Sequence, residues 1–424
     1  MRFRTLLVLS LLVMALAPLP AASAAVECHG EPATIVGEPG QDRLRGTPGR
    51  DVIVTAGAFE VDAGAGDDLI CVTNGPGGET GNVRACDGAD EVYNEQGRGG
   101  FLWVELGAGP DTFVGGPGNE TVLTGEEDGA DTDPDVVDTG ANWDLVVTGD
   151  HSATANADQI DTGIGDDEVQ VLSRRQDAGG MLELGPGLDR LWFIWPDDDS
   201  GTWVFDNVSQ QLSHHGAVEM HWSGVESFDL PDPAANAVSF VGGPGRELVW
   251  AASVDHVDLG GGNDRFALEV SFHEPGPAVL AGGSGRDEFA VDWSYGAVVD
   301  LRDGFARFRD TDLYGRQALD GFENVYLGGG WPPVTVRGDA GPNRIEVGGC
   351  RARVLGRGGD DRLLAAGVER CRATSTAHLR GGGGDDVLWG AATPDVLIGG
   401  PGRDRAHGGP GVDRCVAEVT YGCP

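Results

Sequence analysis

Four nine-residue segments stand in unbroken register near the C-terminus: GGGGDDVLW (Gly381–Trp389), GAATPDVLI (Gly390–Ile398), GGPGRDRAH (Gly399–His407) and GGPGVDRCV (Gly408–Val416). Asp386, Asp395, Asp404 and Asp413 therefore recur every nine residues, each two positions after a glycine or, once, a threonine. Glycines supply the positive-φ backbone that a tight turn needs. The apolar eighth position (Leu388, Leu397, Ala406) suits a short strand whose side chain points inward. One nonapeptide is then half a coil, which pairs Asp386 with Asp404 on one side and Asp395 with Asp413 on the other. Such units bury their apolar positions only by stacking on one another, so the period constrains the chain to a solenoid.

Copies of lower fidelity extend towards the N-terminus. GEPGQDRLR (Gly37–Arg45) and GTPGRDVIV (Gly46–Val54) form a tandem pair. AGAGDDLIC (Ala63–Cys71), LGAGPDTFV (Leu106–Val114), LGPGLDRLW (Leu184–Trp192), LGGGNDRFA (Leu259–Ala267), GGSGRDEFA (Gly282–Ala290) and GRGGDDRLL (Gly356–Leu364) keep the Asp. Glu120, Glu247 and Asn343 replace it in three others, which reads as turns kept for structure. Irregular spacing between residues 55 and 380 suits coils of variable length and points the same way.

The repeat G-G-x-G-x-D-x-U-x resembles the RTX, or haemolysin-type, calcium-binding repeat family. The resemblance implies an all-β, right-handed parallel β-roll or β-helix solenoid with short strands and glycine-rich calcium turns. Calcium takes six to eight hard oxygens, more than one short turn supplies, so stacked turns must share the ion. The implied ligand positions are Gly382, Gly384, Asp386, Asp395, Gly400, Gly402, Asp404, Gly409, Gly411 and Asp413 in the regular region. The N-terminal pair adds Gly40, Asp42, Gly49 and Asp51, and the middle of the chain adds Asp264, Asp287 and Asp361.

A longer period accompanies the short one. Gly224-Val-Glu-Ser-Phe-Asp-Leu230 matches Gly321-Phe-Glu-Asn-Val-Tyr-Leu327 at an offset of 97 residues, and the flanking repeats align in order. The expected organisation is a leader (1–24), an N-terminal cap with repeats (25–72), a divergent acidic solenoid (73–200), two duplicated modules (201–296 and 297–380), and a regular calcium roll with a C-terminal cap (381–424). Glycine is 71 of 424 residues without a triplet period, which excludes collagen. Glycines also interrupt nearly every helical pattern after residue 25.

Arg2 and Arg4 precede an apolar stretch, and Ala22-Ser-Ala24 offers a small-x-small cleavage site, the pattern of a secretory signal peptide. No other segment has membrane-spanning length, so the expected location is extracellular. Signal-peptide export departs from most of the RTX family, whose members leave through a dedicated channel. Seven cysteines (28, 71, 86, 350, 371, 415, 423) fit an oxidising compartment. Cys350 with Cys371 can bridge adjacent coils, and Cys415 with Cys423 can clip the C-terminal end. The opening segment resembles secreted actinobacterial members of this repeat class, which favours Cys28–Cys71; Cys71–Cys86 remains open.

The net charge of −39 is uneven, with 37 acids against 8 Arg in residues 25–200 and 11 against 12 in residues 337–424. Such a surface repels nucleic acid and anionic lipid, leaving cations, extracellular polysaccharide or cell-surface components as partners. The run Glu126–Asp135 contains D-x-D-x-D but lacks the glycine and terminal Glu of an EF-hand loop, so it reads as a solvated loop. His214, His215 and His221 with Glu219 and Glu226 have no standard metal spacing and read as surface or turn residues. HExxH and G-x-S-x-G are absent, and a chain without Lys has no P-loop. The rival to a structural or binding role is a β-helix polysaccharide lyase or epimerase, for which the Trp192–Trp195 segment and Trp203 form a candidate groove. That reading requires acids with Arg or His on one outward strand face across successive coils, beside aromatics. A further alternative is a calcium-independent adhesive solenoid.

Overall fold

The computed structural model describes residues 25–424 except 39, 76–78, 98, 126–132, 150–156, 173–179, 195–200, 232–236, 270–277, 292–295, 309–315, 330–332, 350, 367–375 and 424. The leader, the proposed Cys350–Cys371 bridge, most of the acidic run and residues 195–199 lie outside the described residues. Every regular element described is a strand.

Two parallel ladders run the length of the molecule, and each coil gives one strand to each. The first extends from Arg43–Arg45 to Val419–Tyr421, the second from Ile35–Val36 to Arg414–Val416. Apolar residues on adjacent coils face each other directly. In the first ladder Leu44, Val61, Val83, Val104, Val122 and Val146 continue in register through Phe228, Phe266 and Phe289 to Leu388 and Ala406. Single-residue alternation explains the pattern: strands such as Glu60–Asp62 put only the middle side chain inside. These inward residues form one continuous core. Full burial of such a side chain contributes about 1.5–3 kcal/mol, so the core grows by two small increments per coil.

Among the described residues the regular alternation of sheets is interrupted twice. Thr202–Asp206, Gln211–His214 and Ala217–Ser223 form an antiparallel meander whose outer strands join the parallel ladder on either side. Ala297–Asp300, Phe305–Phe308 and Gln317–Asp320 repeat this arrangement. Both meanders thicken the core. Trp203, of the sequence's candidate groove, is buried and stacks on His214 with ring centroids 3.9 Å apart. His214 thus differs from the surface reading, because this meander turns its imidazole onto the indole. Trp192 instead lies half-buried on the outside of the first sheet.

At the N-terminus a hairpin, Glu27–Cys28 with Glu31–Pro32, is tied to the strand Leu69–Val72 by Cys28–Cys71, and Cys86 keeps its thiol. Cys415 and Cys423 are bonded at the other end.

Phe289 is fully buried between Phe266 and Phe322. We expect Phe289→Ala to cost about 3–5 kcal/mol, read as a lower urea midpoint with an unchanged slope.

Candidate metal centre

The parallel ladders stop at each turn, where an amide hydrogen pointing along the stack needs an acceptor. The motif carboxylate supplies it. Asp386 N–H donates to Asp404 Oδ1 (2.9 Å), Asp361 N–H to Asp386 Oδ1 (2.9 Å), and Asp395 N–H to Asp413 Oδ1 (2.9 Å). The structure thus brings together the pairs expected from the nine-residue spacing. Asp264 N–H likewise donates to Asp287 Oδ1 (2.9 Å).

The same bond runs through the irregular region. Asp51, Asp68, Asp90, Asp111, Asp135 and Asp158 form one continuous run on one side. On the other side Glu120, Asp144, Asp167 and Asp189 lead to Glu226. Glu247, Asp264 and Asp287 lead to Glu323, and Asn343, Asp361, Asp386 and Asp404 lead to Glu418. Glu226 and Glu323 end their runs because their own amides turn back to the carbonyls of Asp189 and Asp287.

Sequence reasoning missed these glutamates, although the matched G-V-E and G-F-E segments carried two of them. It also missed Asp90, Asp144 and Asp167, it recognised Asp68 and Asp189 in repeat copies without naming them as ligands, and it placed Asp135 in a solvated loop, whereas Asp135 is buried in the run. Steps along the runs vary from 17 to 25 residues, apart from those to the terminal glutamates Glu226, Glu323 and Glu418, which are 37, 36 and 14. The additional residues fall between strands, so the turn chemistry survives the loss of period.

One carboxylate oxygen of each Asp is thereby used, and the second divides the turns into two classes. In closed turns the amide of the second motif residue donates to the side chain of the sixth. Thr47 N–H meets Asp51 Oδ2 (2.7 Å), Gly243 N–H meets Glu247 Oε1 (2.9 Å), Asp339 N–H meets Asn343 Oδ1 (2.9 Å) and Ala391 N–H meets Asp395 Oδ2 (2.6 Å). In open turns the second residue has positive φ, as at Gly260, Gly283, Arg357, Gly382, Gly400 and Gly409. Its amide then no longer meets that carboxylate; Gly382 N–H, for example, bonds along the stack to Gly399 C=O (2.9 Å). The second oxygens of Asp264, Asp287, Asp361, Asp386, Asp404 and Asp413 are consequently buried without a hydrogen-bond partner. Asp68, Asp90, Asp144, Asp167 and Asp189 share this state.

Asp42 departs from the expectation. Its carboxylate is exposed, and Phe59, which occupies the corresponding place in the next coil, offers no carboxylate to the Asp42 amide, so no run starts there. Gly40 has φ +77°, while Gly49 has open space around it. The glycines of the regular region are tightly placed. A Cβ on Gly400 or Gly402 would land on the carbonyl oxygen of Gly382 or Gly384 one coil away.

A buried, half-satisfied carboxylate resists ionisation. Burial is the main cause that pushes Asp386 up to about 6, Asp361 and Asp90 to about 7, and Asp144 to about 8. Repulsion from neighbouring carboxylates adds to burial, and the accepted amide opposes it. An array of anionic oxygens that lack donors fits a hard divalent cation held by oxygen ligands. It does not fit zinc or copper, whose protein sites draw on His and Cys as well.

The RTX calcium-binding nonapeptide repeat model matches residues 34–57, 103–129 and 380–415, in four copies. The chain carries RTX calcium-binding repeats. No curated protein matches the chain. The RTX turns are calcium-binding units mounted on a β-solenoid, and among the described residues no helix is long and apolar enough to cross a membrane.

Two expectations follow. Unfolded Asp titrates near 3.9, so between about pH 4 and 8 the metal-free folded state retains protons that the unfolded state has released. Its stability should fall as pH rises through that window; thermal melting in EGTA at pH 5 and pH 8 measures this, with the lower melting temperature at pH 8. Gly402→Ala should cost more than 1 kcal/mol, on the order of a strained left-handed residue. Gly383→Ala, with nothing near its Cβ position, should stay within about 0.5 kcal/mol in the same denaturation assay.

Proposed function

We propose that this is a secreted solenoid whose open RTX turns take up calcium and set the fold outside the cell, where the rod serves a structural or binding role. The observation that carries this reading is the row of buried second oxygens in the open turns. Each is costly without a partner, and a shared cation relieves that cost together with the repulsion between stacked carboxylates. Asp264, Asp287, Asp361, Asp386, Asp404 and Asp413 would hold calcium, with peptide carbonyls of the same glycine turns completing an oxygen set. Asp51 and Asp395 stand in closed turns and act as structural acceptors. Export through the leader at 1–24 accords with the disulfides Cys28–Cys71 and Cys415–Cys423. Millimolar extracellular calcium suits modules of this kind, which bind at about 10⁻⁴–10⁻³ M.

A lyase-like reading has one observation behind it. On the outward face of the first sheet Arg190 pairs with Glu168 (3.3 Å) and with Asp229, and its guanidinium lies over Trp192 (5.3 Å) and Trp250 (5.7 Å). Acids, Arg and aromatics do therefore share one face across successive coils. Here Arg190 engages both carboxylates and both rings, an arrangement that also serves as an internal ladder.

The test is circular dichroism, melting and calorimetric calcium titration of residues 25–424. Calcium should raise the melting temperature cooperatively. Asp404→Asn should lower both the number of ions bound and that gain. Asp395→Asn should lower stability and leave the ion count unchanged. Equal melting in calcium and EGTA would leave a metal-independent solenoid and defeat the proposal.

A further inference from the structure

The outward face of the second sheet changes sign along the solenoid. In the N-terminal half, Asp138, Asp161 and Glu183 occupy one register row on three successive coils. In the C-terminal quarter the equivalent face carries Arg351, Arg353, His378 and Arg380, and no acid intervenes among the described residues of these strands. Two adjoining clefts of about 350 Å³ and 420 Å³ open there, and both are lined by Arg353 and His378.

These arginines differ from their neighbours. Arg337 and Arg357 both pair with Asp300 (3.3 and 2.8 Å), so the chain neutralises guanidinium groups where a carboxylate is in reach. Arg351, Arg353 and Arg380 make no ion pair or side-chain hydrogen bond with any described residue. Three unpaired cations on adjacent strands repel one another, and they do so in a protein of net charge −39 with 68 acidic residues to draw on. The extent of the group indicates the size of its ligand. Arg351 and Arg380 are four residues apart along the strand and one strand across, roughly 14 Å at the usual strand rise and spacing. One small anion cannot reach both, so the complementary ligand carries several anionic groups along its length.

Two features favour a glycan over nucleic acid. Single-stranded nucleic acid is held largely by base stacking on aromatics, and Phe, Tyr and Trp are missing from the residues lining both clefts. The lining instead combines guanidinium forks, which match carboxylates in bidentate fashion, with the hydroxyls of Thr335 and Thr376.

We propose that this groove binds an acidic polysaccharide, a linear glycan with a uronate carboxylate at regular intervals, through Arg351, Arg353 and Arg380. The site is separate from the calcium turns and requires only that the solenoid be folded.

The experiment titrates residues 25–424 with hyaluronate oligosaccharides in millimolar calcium, with circular dichroism confirming the fold of each variant. Arg353→Glu/Arg380→Glu should weaken binding at least ten-fold. Arg302→Glu/Arg344→Glu, which changes net charge equally at exposed sites outside the groove, should stay within two-fold of the parent. Equal loss in both variants would reduce the effect to net charge and overturn the proposal. So would no binding by the folded parent, or tighter binding of an oligothymidylate of similar length. Light scattering that shows a dimer abolished by Arg353→Glu/Arg380→Glu would make a second copy of this chain the occupant, again overturning it. A variant that fails to fold is replaced by Arg353→Gln/Arg380→Gln, for which the same ten-fold loss is expected.

Discussion

At most turns on the first-ladder side, and on the second from Asp51 to Asp158 and again at Asp395 and Asp413, a carboxylate accepts an amide hydrogen of the preceding coil, and the rest of the molecule is arranged around that bond. It extends a parallel ladder past the ends of strands only three or four residues long. It also requires an acid to be buried at each turn that makes it, because an acceptor inside the stack cannot reach water. Glycine follows from the same constraint: the turn must pass close enough to the neighbouring coil for the bond to form, and at Gly400 and Gly402 a Cβ would occupy the neighbour's carbonyl oxygen. The acidity of the N-terminal half then has a structural component. Asp51 to Asp158 form an unbroken run of this bond.

Much of this was legible in the sequence, because the chemistry of the turn is local. Four nonapeptides in register contain the glycines, the acid and the inward apolar residue of a half-coil, and the pairs 386/404 and 395/413 follow by counting. Legibility fails where another residue takes a glycine's place. Cys86 adopts positive φ at the second motif position (φ 83°), and composition does not announce that a non-glycine residue will accept this strain. It fails again where coil length varies. A change of spacing looks like loss of the site, yet insertions between strands leave the turn intact, as at Asp144 and Asp167. The meanders were hidden for a further reason: their strands alternate like any others, and only the pairing direction distinguishes them.

The duplication seen at an offset of 97 residues acquires a physical meaning from the runs. Glu226 and Glu323 each end a run, and each lies just beyond a meander. A glutamate has one methylene more than aspartate, so its carboxylate reaches the preceding amide while its own backbone folds back onto the previous coil. The chain can thus leave the strict stack, form two additional strands in the second sheet and rejoin the stack at that glutamate. The ends of the runs and the departures from regular winding are the same event.

Closed turns complete the logic. Glu247, Asn343, Asp51 and Asp395 each stand at the start of a run, and in each the second motif residue donates its amide to the side chain. A starting turn has no open turn before it with which to share a cation, so a cation there would lack half its ligands. Directing an amide at the side chain satisfies one oxygen without metal, fully at Asp51 and Asp395, while Glu247 still buries its other oxygen without a partner. Ala391 illustrates how sequence selects between the classes. Its Cβ disfavours the positive φ that glycine adopts at Gly382, Gly400 and Gly409, so its N–H stays aimed at Asp395. The backbone conformation at this one position thus decides whether a turn of the solenoid presents an anionic oxygen to a cation or keeps it for its own backbone; residue type biases that choice without fixing it, since Gly243 stands in a closed turn and Arg357 in an open one. The pattern of such choices, more than the count of aspartates, sets how many ions the rod can hold.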